Sequence, residues 1–173
     1  MVKAKTTGSF EDLPGHQIRR LQQIAVGIFM DEAADLNVTP VQFALLFATS
    51  KEPGLDQRTL ASRIGFDTST IGAVIDRLEA RGLIQRNASP TDKRVRLMTL
   101  TKTGSALLDK VLPAMLRAQE RMLAPLPKAD QQRFMSMIKT VVEANGAWSR
   151  AAKETARSPS AVTKWGCQTS GCP

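Results

Sequence analysis

The chain has 173 residues, a formal net charge of +8, and 24 basic against 16 acidic side chains. That length suits one domain or two closely packed lobes, and the basic excess favours a polyanionic partner, with duplex DNA, RNA and an anionic membrane surface all open on charge alone. No run of about 18 apolar residues offers a membrane span and no charged leader precedes an apolar core and cleavage site, so a cytoplasmic location is expected.

Residues 1–14, with Lys3 and Lys5, read as a flexible N-terminal arm. Residues 15–54 read as N-terminal helices that serve dimerisation and hold an effector pocket. Between 15 and 35, Ile18, Leu21, Ile24, Ala25, Ile28 and Phe29 recur at the spacing of a packed amphipathic helix. The opposite stripe carries His16, Arg19, Arg20, Gln23 and Gly27. Two arginines in the first turns oppose the helix macrodipole at up to about 1 kcal/mol each, which points to an acidic partner or a bound anion. A carboxylate ligand fits that need, with Arg19 or Arg20 pairing with it and His16 and Gln23 orienting a ring heteroatom or hydroxyl. Phe43, Phe47 or Met30 would wall the ring. A solvated basic face, or one lying on a DNA backbone, explains the same stripe. Thr39 followed by Pro40 starts the next helix, because a Thr cap with Pro at the first helical position is preorganised for it.

Residues 55–104 read as a DNA-binding lobe. Leu60 and Ile64 sit at helical spacing, and Gly65 supplies the turn that stops their helix. Asp67 or Thr68 caps a second helix, whose apolar stripe is Ile71, Val74, Ile75 and Leu78 and whose end is Gly82. Ser69, Thr70, Ala73 and Arg77 then face outward. Small polar residues at the leading end admit close approach to a major groove, and Arg77 reaches a phosphate or a guanine edge. Two short strands follow, Leu83–Arg86 and Val95–Leu100, joined by the polar turn Ser89-Pro90-Thr91-Asp92. The hairpin carries Arg86, Lys93, Arg94, Arg96 and Lys102 against Asp92, which is expected to shape the loop and orient Arg94. A narrow cationic projection suits a minor groove. A basic hairpin alone is often an ordinary solvated surface; attached to a helix-turn-helix it becomes a wing.

After Gly104, residues 105–150 read as C-terminal dimerisation helices, first with Leu107, Leu108, Val111, Leu112, Met115 and Leu116 and a kink expected at Pro113. Ala124-Pro125-Leu126-Pro127 breaks the chain before a final helix near 128–148 with Phe134, Ile138, Val141 and Val142. A small winged helix cannot cover this apolar surface alone, and a second copy packed on the first and last helices is the simplest cover. Residues 151–173 form a basic tail containing both cysteines, Cys167 and Cys172. They can neither staple a core nor complete a zinc site, so no metal is expected and they read as incidental tail residues.

Leu60-Ala61 with Ile64-Gly65, Ser69-Thr70-Ile71, Asp76-Arg77-Leu78-Glu79, Arg81-Gly82-Leu83-Ile84-Gln85-Arg86, Asp92-Lys93-Arg94 and Leu100-Thr101-Lys102-Thr103-Gly104 together resemble the MarR family of bacterial transcriptional regulators. The resemblance implies a mainly α fold with a small β-hairpin wing. It also implies an obligate homodimer on a pseudopalindromic double-stranded operator, with recognition helices in major grooves and wings at minor grooves, released by a small phenolic or aromatic acid. Residues 15–25, Gly-His-Gln-Ile-Arg-Arg-Leu-Gln-Gln-Ile-Ala, are similar to the start of the nicotinate-pathway repressors of that family, which implies a pyridine or aromatic carboxylate effector. The absence of cysteine from the first helix argues against thiol sensing. An enzyme is not expected, since a single His, no Tyr and no phosphate-loop or metal-spaced pattern leave no catalytic set, and no cofactor is implied. A nonspecific architectural DNA binder remains the alternative, distinguished by affinity that ignores sequence.

Overall fold

Four helices begin at side chains that satisfy their first free backbone N–H groups. Thr39 Oγ1 accepts from Gln42 N at 3.3 Å while Gln42 Oε1 accepts from Thr39 N at 3.0 Å, closing a capping box behind Pro40. Asp56 Oδ1 accepts from Thr59 N at 2.9 Å, Asp67 Oδ1 from Thr70 N at 2.7 Å, and Thr101 Oγ1 from Gly104 N at 3.0 Å. Gly65 and Gly82, with φ of 77° and 65°, end the helices before them in a left-handed conformation that a side chain disfavours.

The computed structural model describes residues 9–146. In chain order the elements are α1 (Pro14–Glu32), α2 (Pro40–Lys51), β1 (Leu55–Asp56), α3 (Gln57–Arg63), α4 (Thr68–Ala80), β2 (Ile84–Ala88), β3 (Arg96–Leu100), α5 (Lys102–Leu123) and α6 (Lys128–Ala144), with short 3-10 turns at Phe10–Asp12 and Ala34–Leu36. The mainly α fold with a β wing is as the sequence predicts. Cys167, Cys172, the basic tail and the first eight residues lie outside the described residues. Among the described residues, no helix is long and apolar enough to cross a membrane.

The three strands form an antiparallel sheet in the order β1-β3-β2. In the hairpin Ile84 faces Leu100, Arg86 faces Met98 and Ala88 faces Arg96. The sequence predicts the hairpin but not β1, whose two residues are too few to show an alternation and pair across the sheet with Met98 and Leu97.

The chain divides into a unit ending at Pro127 and a unit beginning at Lys128. The core of the first draws Leu45 and Leu46 from α2, Leu60 from α3, Ile71, Ile75 and Leu78 from α4, Ile84 and Met98 from the sheet and Val111 from α5, all fully buried. Burying a Leu or Ile side chain removes about 1.5–3 kcal/mol of unfavourable water contact, so this cluster holds the lobe together. α5 continues through Pro113 and turns Leu108, Val111, Ala114 and Ala118 inward, where the two alanines let α1 approach. Arg117 Nε pairs with Glu32 Oε2 at 2.9 Å and Arg121 Nη1 with Asp31, tying the end of α1 to α5. Of the stripe expected on α1 only Phe29 is buried; Ile18 is 63% exposed and Ile24 50%. In the second unit α6 buries no residue, and Val141 and Val142 lie open on it.

One contact joins α4, the wing and α5. Thr101 N donates to Leu83 O at 3.1 Å and Thr101 Oγ1 to Gly82 O at 2.6 Å. Gly104 then lies so close that a Cβ there would sit 2.0 Å from the same Leu83 oxygen. Gly104→Ala is therefore expected to cost on the order of 3 kcal/mol, since backbone rather than a pliable side chain must give. Gly27→Ala in α1, where nothing lies within 4 Å, is expected to be neutral or to stabilise by up to about 1 kcal/mol. Urea denaturation of both variants checks the contrast in sign.

Candidate nucleic-acid interface and ligand cavity

The burial of Ile71, Val74, Ile75 and Leu78 turns the other face of α4 to solvent, and Ser69, Thr70, Ala73 and Arg77 are all exposed on it. Asp67 caps this helix with unusual thoroughness. Its Oδ1 accepts from Ser69 Oγ at 2.6 Å as well as from Thr70 N, and its Oδ2 accepts from Thr70 Oγ1 at 2.6 Å. The Ser69 hydroxyl, then the Thr70 hydroxyl and N–H, hold the Asp67 carboxyl far below the ordinary carboxylate range, so it stays ionised near neutral pH. At the same turn Gln57 Nε2 donates to Thr68 O at 2.9 Å, lashing α3 to the start of α4. Gly72 leaves room for that amide, which an added Cβ would approach to 2.9 Å. Gln57 and Gly72 escape the sequence reading, although a glycine inside a helix pattern is itself a sign of close packing.

At the wing tip Ser89 N donates to Val95 O and Val95 N to Asp92 O, closing the turn. Asp92 does what the sequence predicts: it accepts from Arg94 N at 2.9 Å and from the Arg94 guanidinium at 3.2 Å on both oxygens. The Arg94 side chain and then its backbone N–H lower the Asp92 carboxyl. Arg94 nonetheless remains 91% exposed, with Lys93 and Arg96 also at the surface. Arg86 is placed differently from the other basic residues of the hairpin. Its Nη1 pairs with Glu79 Oε2 at 2.6 Å and its Nη2 with Asp76, both on α4, and the side chain is 24% exposed. Asp76 foremost, with Glu79, raises its already high pKa. The cause is strand alternation: Ile84 faces the core, and Arg86, two residues on, shares that face and meets α4. Arg86 thus fastens the wing to the flank of α4.

A cavity of about 430 Å³ opens beside α2, lined among others by Phe43, Phe47, Lys51, Arg63, Ile64 and Met115. The Phe43 and Phe47 rings stack at 5.7 Å and 27°, and Lys51 Nζ lies 5.4 Å from the Phe47 ring centre. Arg63 Nη2 pairs with Glu52 Oε2 at 2.5 Å on the rim. The structure therefore brings Phe43 and Phe47 together as a wall, but the predicted polar partners are elsewhere in the protomer. Arg19, Arg20 and Gln23 are exposed on α1, and His16 packs against Phe10 with ring centres 4.7 Å apart. None of the four lines the cavity, whose cations are Lys51 and Arg63. Glu52 also lines the cavity and is paired with Arg63, so two aromatic rings and the excess cation Lys51 are what the cavity offers an aromatic anion. Among the described residues no group of three His, Cys, Asp or Glu could hold a metal ion.

The MarR family profile matches residues 36–95. Transcriptional regulator HosA of Escherichia coli O111:H- is 31% identical over 129 residues, covering 75% of this chain and 94% of its own. The transcriptional repressor CouR, solved bound to a 23-mer DNA duplex, superposes with a TM-score of 0.73 at 29% identity, covering 82% of this chain and 99% of CouR. BpsR of Bordetella bronchiseptica, whose DNA binding is regulated by 6-hydroxynicotinic acid, superposes with a TM-score of 0.74 at 28% identity over 78% of this chain and 96% of BpsR.

If Arg86 fastens rather than contacts DNA, Arg86→Met should cost about 1 kcal/mol of folding stability, as expected for a partly exposed ion pair that leaves two carboxylates unpartnered. DNA affinity should fall with it while the slope of log affinity against log salt stays at the wild-type value. A smaller slope in fluorescence anisotropy titrations would put Arg86 on a phosphate.

Proposed function

The chain belongs to the MarR family, and from that membership we propose that it is a homodimeric repressor released from a pseudopalindromic operator by a small aromatic or pyridine carboxylate. It is a DNA-binding transcriptional regulator and not an enzyme. One observation carries the proposal: the polar face of α4 and the exposed Arg94 belong to the same compact unit as a cavity walled by two phenylalanines and edged by two cations.

In this reading Ser69, Thr70, Ala73 and Arg77 enter the major groove, and Lys93 and Arg94, shaped by Asp92, meet the minor groove and its phosphates. A second copy covers the apolar residues left open on α1 and α6 and sets the separation of the two recognition helices. The effector ring lies against Phe43 and Phe47, with its carboxylate on Lys51 and on Arg63, whose guanidinium it shares with Glu52. BpsR responds to 6-hydroxynicotinic acid, which has the ring and the charge this cavity suits. His16, Arg19, Arg20 and Gln23 reach the effector only if α1 of the second copy brings them there. Release follows from linkage: a ligand that prefers a dimer with misplaced helices lowers DNA affinity by its preference, and a tenfold release takes about 1.4 kcal/mol. One charge-assisted contact supplies that.

Arg94→Ala should weaken DNA binding and reduce the salt slope by about one charge per protomer; an unchanged slope would remove the wing from the interface. Calorimetry with 6-hydroxynicotinic acid should show Lys51→Ala with Arg63→Ala losing at least about tenfold in affinity, the scale of one charge-assisted contact. A parallel loss in His16→Ala with Arg20→Ala would mean that the second copy completes the site, and equal binding by wild type and both double variants would exclude this cavity.

A further inference from the structure

The cap of α4 fixes more than the start of a helix. An ionised carboxylate has no proton to give, so in the contacts between Asp67 and the hydroxyls of Ser69 and Thr70, both 2.6 Å, the hydroxyls must donate. Each hydroxyl has a single hydrogen, and each is spent on Asp67. What Ser69 Oγ and Thr70 Oγ1 still offer outward is lone pairs alone. A phosphate oxygen also has only lone pairs, as do guanine O6 and N7 and thymine O4. In the major groove the partners with a hydrogen to give are the amino groups of adenine N6 and cytosine N4.

Charge acts in the same direction. Asp67 puts a negative group at the leading turn of α4, which repels phosphates on either side, whereas the wing offers the exposed cation of Arg94. The leading turn is thereby suited to base edges and the wing to backbone. Resting on the DNA-binding reading above, we propose that Asp67 is a specificity-determining residue that holds Ser69 and Thr70 as hydrogen-bond acceptors, so that the start of α4 selects adenine or cytosine over guanine or thymine on the strand it contacts.

The substitution Asp67→Asn makes the test clean. Asparagine caps helices as well as aspartate, so its carbonyl, in the place of Oδ1, retains the bonds from Thr70 N and Ser69 Oγ, but its amide, in the place of Oδ2, donates to Thr70 Oγ1 and frees that hydroxyl's hydrogen to point outward. Duplexes selected from a random-sequence library by wild type and by Asp67→Asn should share one motif, except at the one position per half-site that faces Thr70, where the amino-bearing base gives way to guanine or thymine. With the wild-type site, replacing that adenine by purine, or that cytosine by 2-pyrimidinone, removes only the amine and should weaken wild type on the order of tenfold per half-site. Asp67→Asn should be nearly indifferent to the same change. Thr70→Val and Ser69→Ala, which keep the shape but lose the acceptors, should lose the preference without gaining another. An identical motif from both proteins, or full wild-type affinity for the amine-free site, overturns the role of Asp67 alone. Failure of wild type to enrich any sequence overturns it together with the operator-binding reading.

Discussion

The meeting of Leu83, Thr101 and Gly104 is the contact on which the rest of the lobe depends. α4 ends there at Gly82, β2 leaves, β3 returns and α5 departs, so four elements pass through one point held by two hydrogen bonds and a glycine without space for a methyl group. A hairpin joined to the protein only by its own ladder would swing; closed at its base, and clamped by Arg86 to Asp76 and Glu79, it holds one orientation relative to α4. α5 carries the same constraint away to α1 through Ala114, Ala118 and the pairs of Arg117 and Arg121 with Asp31 and Glu32. The cavity touches this frame twice, at Met115 on α5 and at Arg63 and Ile64, just before the Gly65 turn into α4. In the proposed reading, a molecule bound there would act on the elements that set α4, and that would be the physical content of ligand release.

Charge is sorted by what each group faces. Arg86, Arg117 and Arg121 have carboxylate partners within the fold and stiffen it. Arg94 has a partner that leaves it almost wholly in water, so that Asp92 fixes its direction without neutralising its reach. Asp56 and Asp67 serve as caps, lowered chiefly by Thr59 and by Ser69 respectively. Groups lowered in the folded protein add stability above the ordinary carboxylate range, and that contribution fades as pH falls through the lower folded values.

The caps, the turn glycines and the wing are legible in sequence because each depends on residues within a few positions. Thr39, Asp67, Gly65 and Gly82 occupy their predicted roles, and the outward face of α4 follows from the 3.6-residue period. What the sequence conceals is set by residues distant in the chain. β1 exists only through Met98 and Leu97, and the close approach at Gly104 only through Leu83. Arg86 was readable in part: its spacing from Ile84 places it on the inner face, but its charge and its seat on a basic hairpin point to DNA. The cavity residues divide along the same line. Phe43, Phe47 and Lys51 lie four apart in turn on one helix and stay together, while Arg63 becomes a neighbour of the cavity only when α3 folds against α2. The apolar stripe of α1 is correct as a pattern, with Phe29 buried and Leu21, Ala25 and Ile28 half-buried, but the protomer alone leaves Ile18 and Ile24 exposed.

Above all, this unit reads sequence rather than simply adhering to DNA. Genomic fragments of the source organism, bound by the purified full chain at about physiological salt and then sequenced, address that property directly, because nonspecific binding is dominated by phosphates and cannot concentrate a few sites. A small set of strongly enriched fragments, each with a two-fold repeat spaced for two recognition helices, is the expected result. Even recovery across the genome by ligand-free protein would contradict it and leave the winged helix as an architectural binder.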